Sequence, residues 1–257
     1  MILGILQARC SSSRLSGKVL KRLQGKPMLE HQIRRIQRSQ RIDKLVVATS
    51  TDPADEPLAK LCRDVGIDCY RGSLEDVLDR FYRAARRFDP EHVVRLTGDC
   101  PLADPKVIDE IIDLYLAGNY DYASNCLDGC NFPDGLDAEV FSMSALETAF
   151  NEAKLQSQRE HVTLFINRQP ERFRIGLLRS DTDYSKLRWT VDEPADFEFV
   201  TRVYDALYPS RPDFTMNDVL ALLQSMPELT SINSRFERNE GLQKSLARDK
   251  EIVAIKE

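Results

Sequence analysis

The residues that could do chemistry fall in two groups, a cluster of cations near the amino terminus and two aspartates far along the chain. Arg9, Arg14 and Lys18 sit in Gln7-Ala8-Arg9-Cys10-Ser11-Ser12-Ser13-Arg14-Leu15-Ser16-Gly17-Lys18, directly after the apolar run Ile2-Leu3-Gly4-Ile5-Leu6. A turn rich in small residues can turn backbone N–H groups toward phosphate oxygens while flanking cations neutralise the remaining charge. Arg9 and Arg14 can grip such oxygens bidentately, and Lys18 adds a mobile point charge. Ala8, Ser12 and Ser13 belong to the same candidate phosphate loop. The competing reading is a solvated surface loop whose charges serve solubility. Neither G-x-x-x-x-G-K-[ST] nor G-x-G-x-x-G is present, so the loop is neither a P-loop nor a dinucleotide fingerprint.

Asp99 stands in Leu96-Thr97-Gly98-Asp99-Cys100-Pro101-Leu102 and Asp192 in Thr190-Val191-Asp192-Glu193-Pro194-Ala195-Asp196. Each follows an apolar, β-branched run that reads as a strand. Two carboxylates delivered by different strands to one sheet edge can share a magnesium ion, which takes one or two carboxylates plus phosphate oxygens. Each also precedes a proline-containing helix start, so taken singly each reads equally as a helix N-cap.

The elements that must carry these residues alternate from the start. Strands are expected at 2–6, 45–50, 67–70 and 92–96, with helices over 27–39, 56–65, 73–88 and 104–115. Strand–helix alternation of this kind predicts an α/β fold built on a mostly parallel, doubly wound sheet, with ligands beyond the carboxyl ends of its strands. The pattern then loosens. Strands are expected at 120–125, 136–141, 173–178 and 187–191, and helices at 144–154, 158–168, 197–208 and 217–225. No linker divides the chain, so residues 1–208 read as one domain and 209–257 as its helical C-terminal extension.

Composition narrows the class. The chain has 257 residues, 42% hydrophobic and 30% charged, with a formal charge of −5 and a pI near 5.4, which argues against a nucleic-acid partner. No apolar run approaches the roughly 20 residues that cross a bilayer, so no membrane association is expected. The start lacks a signal-peptide pattern, so a cytoplasmic location is expected. Six cysteines without a C-x-x-C and three histidines argue against zinc and for reduced thiols.

The loop wording, with Gly25-Lys26-Pro27-Met28-Leu29 after it, resembles the nucleotide loop of the sugar nucleotidyltransferases. It is most similar to the cytidylyltransferase group typified by the spore coat polysaccharide biosynthesis protein F family, related to the enzymes that make CMP-activated sialic acids and ketodeoxyoctonate. The G-D-x-P-L around Asp99 and the D-x-P-x-D around Asp192 match that group, in which both aspartates are metal ligands. The chain departs at Glu193, where the family commonly has Thr, and at Cys100, which replaces an acid of the ketodeoxyoctonate enzymes.

By the same resemblance Arg71, in Arg71-Gly72-Ser73, contributes to base and phosphate recognition, and Thr97 and Ala8 line the base pocket. Pro133-Asp134-Gly135-Leu136-Asp137-Ala138-Glu139-Val140-Phe141 resembles the family's G-L-D-x-E-V-F, which makes Asp137 and Glu139 candidates for acceptor hydroxyls. Arg159-Glu160-His161-Val162-Thr163 also resembles the group and adds His161. The bland alternatives are an arginine on an exposed turn, the solvated face of an edge strand and a packed histidine.

The resemblance implies transfer of CMP from CTP to a sugar acid or related acceptor with release of pyrophosphate, in surface polysaccharide or glycoconjugate biosynthesis. Mg2+ would be held by Asp99 and Asp192, Arg9, Lys18 and Asp99 would be the catalytic groups, and a homodimer would be usual. Alternatives are a nucleotidyltransferase using another base or a sugar phosphate, a glycosyltransferase, or a non-catalytic nucleotide-binding protein.

Overall fold

The computed structural model describes all residues except Ser13, Asp128, Asn239 and Glu257, and all side chains up to residue 250 apart from theirs. Its first strand, β1 (Ile2–Gln7), is an interior strand of the main sheet. Strand alternation sends Leu3 and Ile5 to one face and Leu6 to the other, and each face is buried under helices. After β1 come a short hairpin, β2 (Arg22–Leu23) and β3 (Lys26–Pro27), and then α1 (Met28–Ile36), β4 (Lys44–Ser50), α2 (Glu56–Val65), β5 (Asp68–Gly72), α3 (Val77–Arg86) and β6 (His92–Thr97).

The remaining chain forms α4 (Pro105–Gly118), β7 (Tyr122–Ser124), β8 (Glu139–Ser142), α5 (Met143–Glu152), α6 (Gln156–Glu160), α7 (Leu164–Asn167), β9 (Ile175–Leu177), α8 (Pro194–Leu207), α9 (Met216–Ser225) and α10 (Glu240–Lys256). The seven-stranded sheet runs in the order β5-β4-β1-β6-β8-β7-β9. The strands β5, β4, β1 and β6 are parallel, β8 is antiparallel to both its neighbours, and β7 pairs parallel with β9.

This order fixes where ligands can go. The chain winds from β1 outward through β4 to β5, then crosses back to lay β6 on the other side of β1. Neighbouring connections therefore diverge between β1 and β6, which opens a crevice at their carboxyl ends. The candidate phosphate loop leaves β1 there, and Thr97-Gly98-Asp99 leaves β6 there. Gly98 is required by this approach: a Cβ on it would lie 2.7 Å from the Cβ of Ala8 and 3.0 Å from the carbonyl oxygen of Gln7.

Several elements form as their sequences dictate. Helix α2 ends where Gly66 takes φ 72°. Helix α4 starts behind Asp104, whose carboxylate accepts from the N–H of Lys106 at 2.8 Å. Two expectations fail. The helix expected over 158–168 breaks into α6 and α7, because the backbone turns at Val162, which is fully buried with φ 48°. A β-branched residue in that region is strained, and packing holds it there. The strand expected at 187–191 is absent from the sheet: it makes an isolated bridge between Arg188 and Asp134 and runs on across the sheet's carboxyl edge.

That crossing is held by backbone bonds. The carbonyl of Asp134 accepts from the N–H groups of Trp189 (2.6 Å) and Thr190 (2.9 Å), and that of Asp99 accepts from Val191 (2.8 Å). Gly135 makes the contact possible, with φ 111° and a hypothetical Cβ only 2.4 Å from the nitrogen of Thr190. Gly135→Ala is therefore expected to lower unfolding stability by about 1–3 kcal/mol or more, from backbone strain and the collision together. Urea denaturation checks this, and an unchanged midpoint would show that the loop can move aside.

Candidate active site

Lys18 gathers the site. Its ammonium donates to the carbonyl oxygen of Val191 at 2.7 Å, to Asp192 Oδ1 at 2.8 Å and to Asp99 Oδ2 at 3.3 Å. The two carboxylates come from segments far apart in sequence, yet both rest on one cation, so these two oxygens are no farther apart than about 6 Å. Neither aspartate caps a helix. Asp104 caps α4, and at α8 the Asp196 carboxylate accepts from the N–H groups of Asp192 and Glu193, both at 2.9 Å.

The electrostatics follow from this arrangement. Burial pushes the Asp99 carboxyl up, but the Lys18 ammonium and a Thr97 hydrogen bond outweigh it and hold the group down at about 2. Burial likewise pushes the Lys18 ammonium down, and Asp99 and Asp192 together hold it above its ordinary value. Both groups are ionised through the physiological range.

The loop is positioned from below by Asp55, which is 1% exposed. Its carboxylate accepts from the backbone N–H of Cys10 at 2.6 Å and from Ser50, tying the end of β1 to the end of β4. The carbonyl of Cys10 then accepts from the N–H groups of Ser12 and Gly17, both at 2.9 Å. Gly17 takes φ 64°, and the chain turns back so that Lys18 points into the crevice. Arg14 faces acids, lying 3.0 Å from Asp192, 3.5 Å from Glu193 and 3.6 Å from Glu240.

A cleft of about 940 Å3 runs over this edge of the sheet, at the upper end of the range for ligand pockets. Of the candidate residues, Ala8, Arg9, Ser12, Arg14, Lys18, Thr97, Asp99, Asp137, Glu139, His161 and Asp192 all line it. Ser13 lies outside the described residues.

Arg71 stands apart from this set. It is not among the lining residues; its guanidinium donates to the carbonyls of Ser50 (2.9 Å) and Asp52 (3.1 Å) and pairs with Glu56. It braces the turn after β4 against β5.

The acceptor candidates reach the cleft already engaged. Glu139 is 5% exposed and takes an ion pair from Arg95, with hydrogen bonds from Tyr122 (2.6 Å) and Thr163 (2.5 Å). That geometry positions Arg95 and leaves Glu139 little to offer a ligand. Asp137 pairs with Arg238, and burial pushes its carboxyl up. His161 Nε2 lies 3.1 Å from the Ser245 hydroxyl on α10, and burial, with Arg95 nearby, pushes the imidazole down.

Sequence reading did not single out Arg188 and Asp196. Arg188 donates to both oxygens of Asp196 (2.9 and 3.0 Å), to Asp134 (3.0 Å) and to Asp192 (3.4 Å). It fixes the rear of Asp192 as Lys18 fixes its front. The second Asp of the D-x-P-x-D spacing was the available signal, since its place three residues after Glu193 suits a capping box.

Lys18→Met tests the electrostatic account. The folded-state value of Asp99 lies below its ordinary 3.8, so its contribution to stability is present above about pH 4 and fades as pH falls through about 2. Without the ammonium, burial and Asp192 act unopposed by Lys18, and the Asp99 midpoint is expected to rise above its ordinary value. A carbon-13 titration of labelled aspartate carboxyls reads it, and a midpoint still near 2 would contradict the account.

Comparison with known proteins shows the family. The chain is 36% identical over 236 residues to the uncharacterised protein MJ1063 of Methanocaldococcus jannaschii, covering 91% of this chain and 94% of that one. It is 33% identical to the spore coat polysaccharide biosynthesis protein SpsF of Bacillus subtilis, over 88% and 95% of the two chains. A shorter match, 40% identical over 44% of this chain and 47% of the relative, is to the 3-deoxy-manno-octulosonate cytidylyltransferase of Anaeromyxobacter dehalogenans. A solved cytidylyltransferase from Leptospira borgpetersenii superposes with a TM-score of 0.86 at 28% identity, covering 92% of this chain and 99% of that one. The cytidylyltransferase family model matches residues 3–223, and the chain accordingly belongs to the cytidylyltransferase family and is a nucleotidyltransferase.

Proposed function

We propose that this protein transfers CMP from CTP to a sugar acid or a closely related acceptor, releasing pyrophosphate, in surface polysaccharide or glycoconjugate biosynthesis. The observation that carries the reading is the convergence of Asp99, Asp192 and Lys18 at the crevice between β1 and β6. Two negative charges no farther apart than about 6 Å repel by at least roughly 3 kcal/mol at an effective dielectric of 20, so a pair of carboxylates placed this way favours a cation between them. Their hard oxygen donors fit magnesium, which completes its shell with phosphate and water oxygens. Magnesium held there would neutralise charge on the α-phosphate.

The chain's own residues do the rest. Lys18 and Arg9 balance charge on the triphosphate, and Arg14 shifts from its acidic neighbours onto phosphate oxygens. Ala8 and Thr97 border the base, and Ser12 lies in the loop that cradles the phosphates. The acceptor enters on the β8 side, where Asp137 and His161 meet its hydroxyls and the arginines along that wall, Arg95 and Arg248, suit a carboxylate. Its hydroxyl oxygen forms a bond to the α-phosphorus as the bond to the α–β bridging oxygen breaks. Pyrophosphate leaves with that electron pair, and the hydroxyl proton passes to water. Positioning and charge neutralisation suffice for this chemistry.

The name of the SpsF relative supports a polysaccharide pathway, and that of the octulosonate enzyme supports a sugar acid and CTP. The six free thiols suit the reducing cytoplasm, where CTP is made. No helix among the described residues is long and apolar enough to cross a membrane.

A pyrophosphate-release screen of four nucleoside triphosphates against sugar acids and sugar phosphates, with and without Mg2+, tests the reading. Metal-dependent release is expected with CTP and a sugar acid; release with another triphosphate only, or with a sugar phosphate only, would overturn it. Asp192→Asn is expected to reduce kcat/KM at least about 100-fold with the far-ultraviolet circular dichroism unchanged, a loss of the size that follows removal of a charge-stabilising group.

A further inference from the structure

Arg80 has no part in the cytidylyl chemistry described so far and no motif pointed to it, yet it is a deeply buried cation beside the cleft with an unfilled donor. It stands on α3, is 2% exposed, and lines the cleft. One guanidinium nitrogen donates to the carbonyl of Ser73 at 2.7 Å. The Nε–H is buried without a partner, and Arg80 forms no ion pair among the described residues. Burying a guanidinium in this way is costly unless an acceptor completes it.

The nearby acids cannot supply one. Asp76 is taken by Arg159 at 2.6 Å and by the N–H of Asp79 at 2.9 Å. Asp55 is taken by Cys10 and Ser50. Burial and the nearby charge of Arg9 press against the Arg80 cation, which Asp55 and Asp76 offset at longer range, and its Nε–H still lacks an acceptor. The side chain is also held in place: a Cβ on Gly72 would lie 3.0 Å from Arg80 Cγ, so that glycine leaves room for the arginine stem.

Position selects the part of the ligand. Helix α3 packs across β1, β4 and β5, whereas the charged cluster of Lys18, Asp99 and Asp192 stands at β6 and the 188–192 crossing. Leu74 and Val77, close to Arg80 in the chain, line the same cleft, and apolar side chains of this kind give an aromatic ring a surface to stack on. Resting on the cytidylyl reading, we infer that Arg80 is the base-reading residue, its guanidinium donating to the O2 and N3 acceptors of cytosine while Leu74 and Val77 contact the ring. Uracil presents N–H at N3 and would meet a donor there, so the same contact favours cytosine over uracil.

The test is calorimetric binding of CTP, UTP, inorganic tripolyphosphate and a CTP analogue with C–H in place of ring N3, on wild type, Arg80→Lys and Arg80→Met. A hydrogen bond from a charged donor predicts CTP weakened about 10–100-fold in both variants, a reduced preference for CTP over UTP, and tripolyphosphate affinity within twofold of wild type. The ring analogue is expected to bind wild type about tenfold more weakly than CTP and to lose little further in the variants. CTP bound equally by all three proteins, or tripolyphosphate weakened as much as CTP, overturns the assignment alone. Wild type binding tripolyphosphate but no cytidine nucleotide overturns the cytidylyl reading as well. Should neither variant fold, equal binding of CTP and the ring analogue by wild type still overturns the assignment, and the tenfold loss supports it.

Discussion

One lysine ammonium holds the site together. Lys18 accepts no proton and offers no nucleophile in this arrangement; it sits where three oxygens from two distant segments converge. Two carboxylates this close would drive each other apart or take up a proton without a cation between them. The fold brings them together because Asp99 follows the strand beside β1 and because the 188–192 segment is tied across the same edge by Asp134 and Asp99 backbone carbonyls. The loop from β1 supplies the cation at the place where the sheet's winding reverses.

Behind this front a buried network fixes the geometry. Asp196, fully buried, takes Arg188, two backbone N–H groups of the α8 start and the side chain of Asn233 at 2.9 Å. Arg188 passes that rigidity to Asp192 and Asp134. Such a network is stable only when nearly every member is satisfied, and this one leaves no oxygen of Asp196 free. Asp55 does the same for the phosphate loop, and Glu139 does it for Arg95. These acids orient groups that line the cleft.

The parts legible in sequence were those set by local pattern. Strand–helix alternation gave the parallel half of the sheet, and helix 56–65 was read to the residue because Gly66 ends it. The place of Asp99 at the cleft was readable because a polar residue just past the end of an interior strand has few other places to point. What was not legible depended on tertiary context. That Arg71 rests its guanidinium on two carbonyls at the end of β4 and at its turn has no signature in the local sequence. The apolar run 187–191 has the composition of a strand, and Gly135 and Asp134 divert it from the sheet. The break at Val162 goes against local propensity and is carried by packing alone. Arg188, Asp55 and Arg80 lie outside any motif weighed from the sequence, and Asp196, though it closes the D-x-P-x-D, was not weighed as a site residue, since burial of a charge cannot be read from its neighbours in the chain.

The central claim is that Lys18 holds open a cation site which the nucleotide-bound enzyme uses. A crystal structure with CTP and Mn2+, located by its anomalous scattering, tests this most directly. The account predicts manganese bonded to both Asp99 and Asp192, with the Lys18 ammonium moved from between them onto phosphate oxygens. Manganese bound elsewhere, or Lys18 still bridging the two carboxylates beside a bound triphosphate, would contradict it.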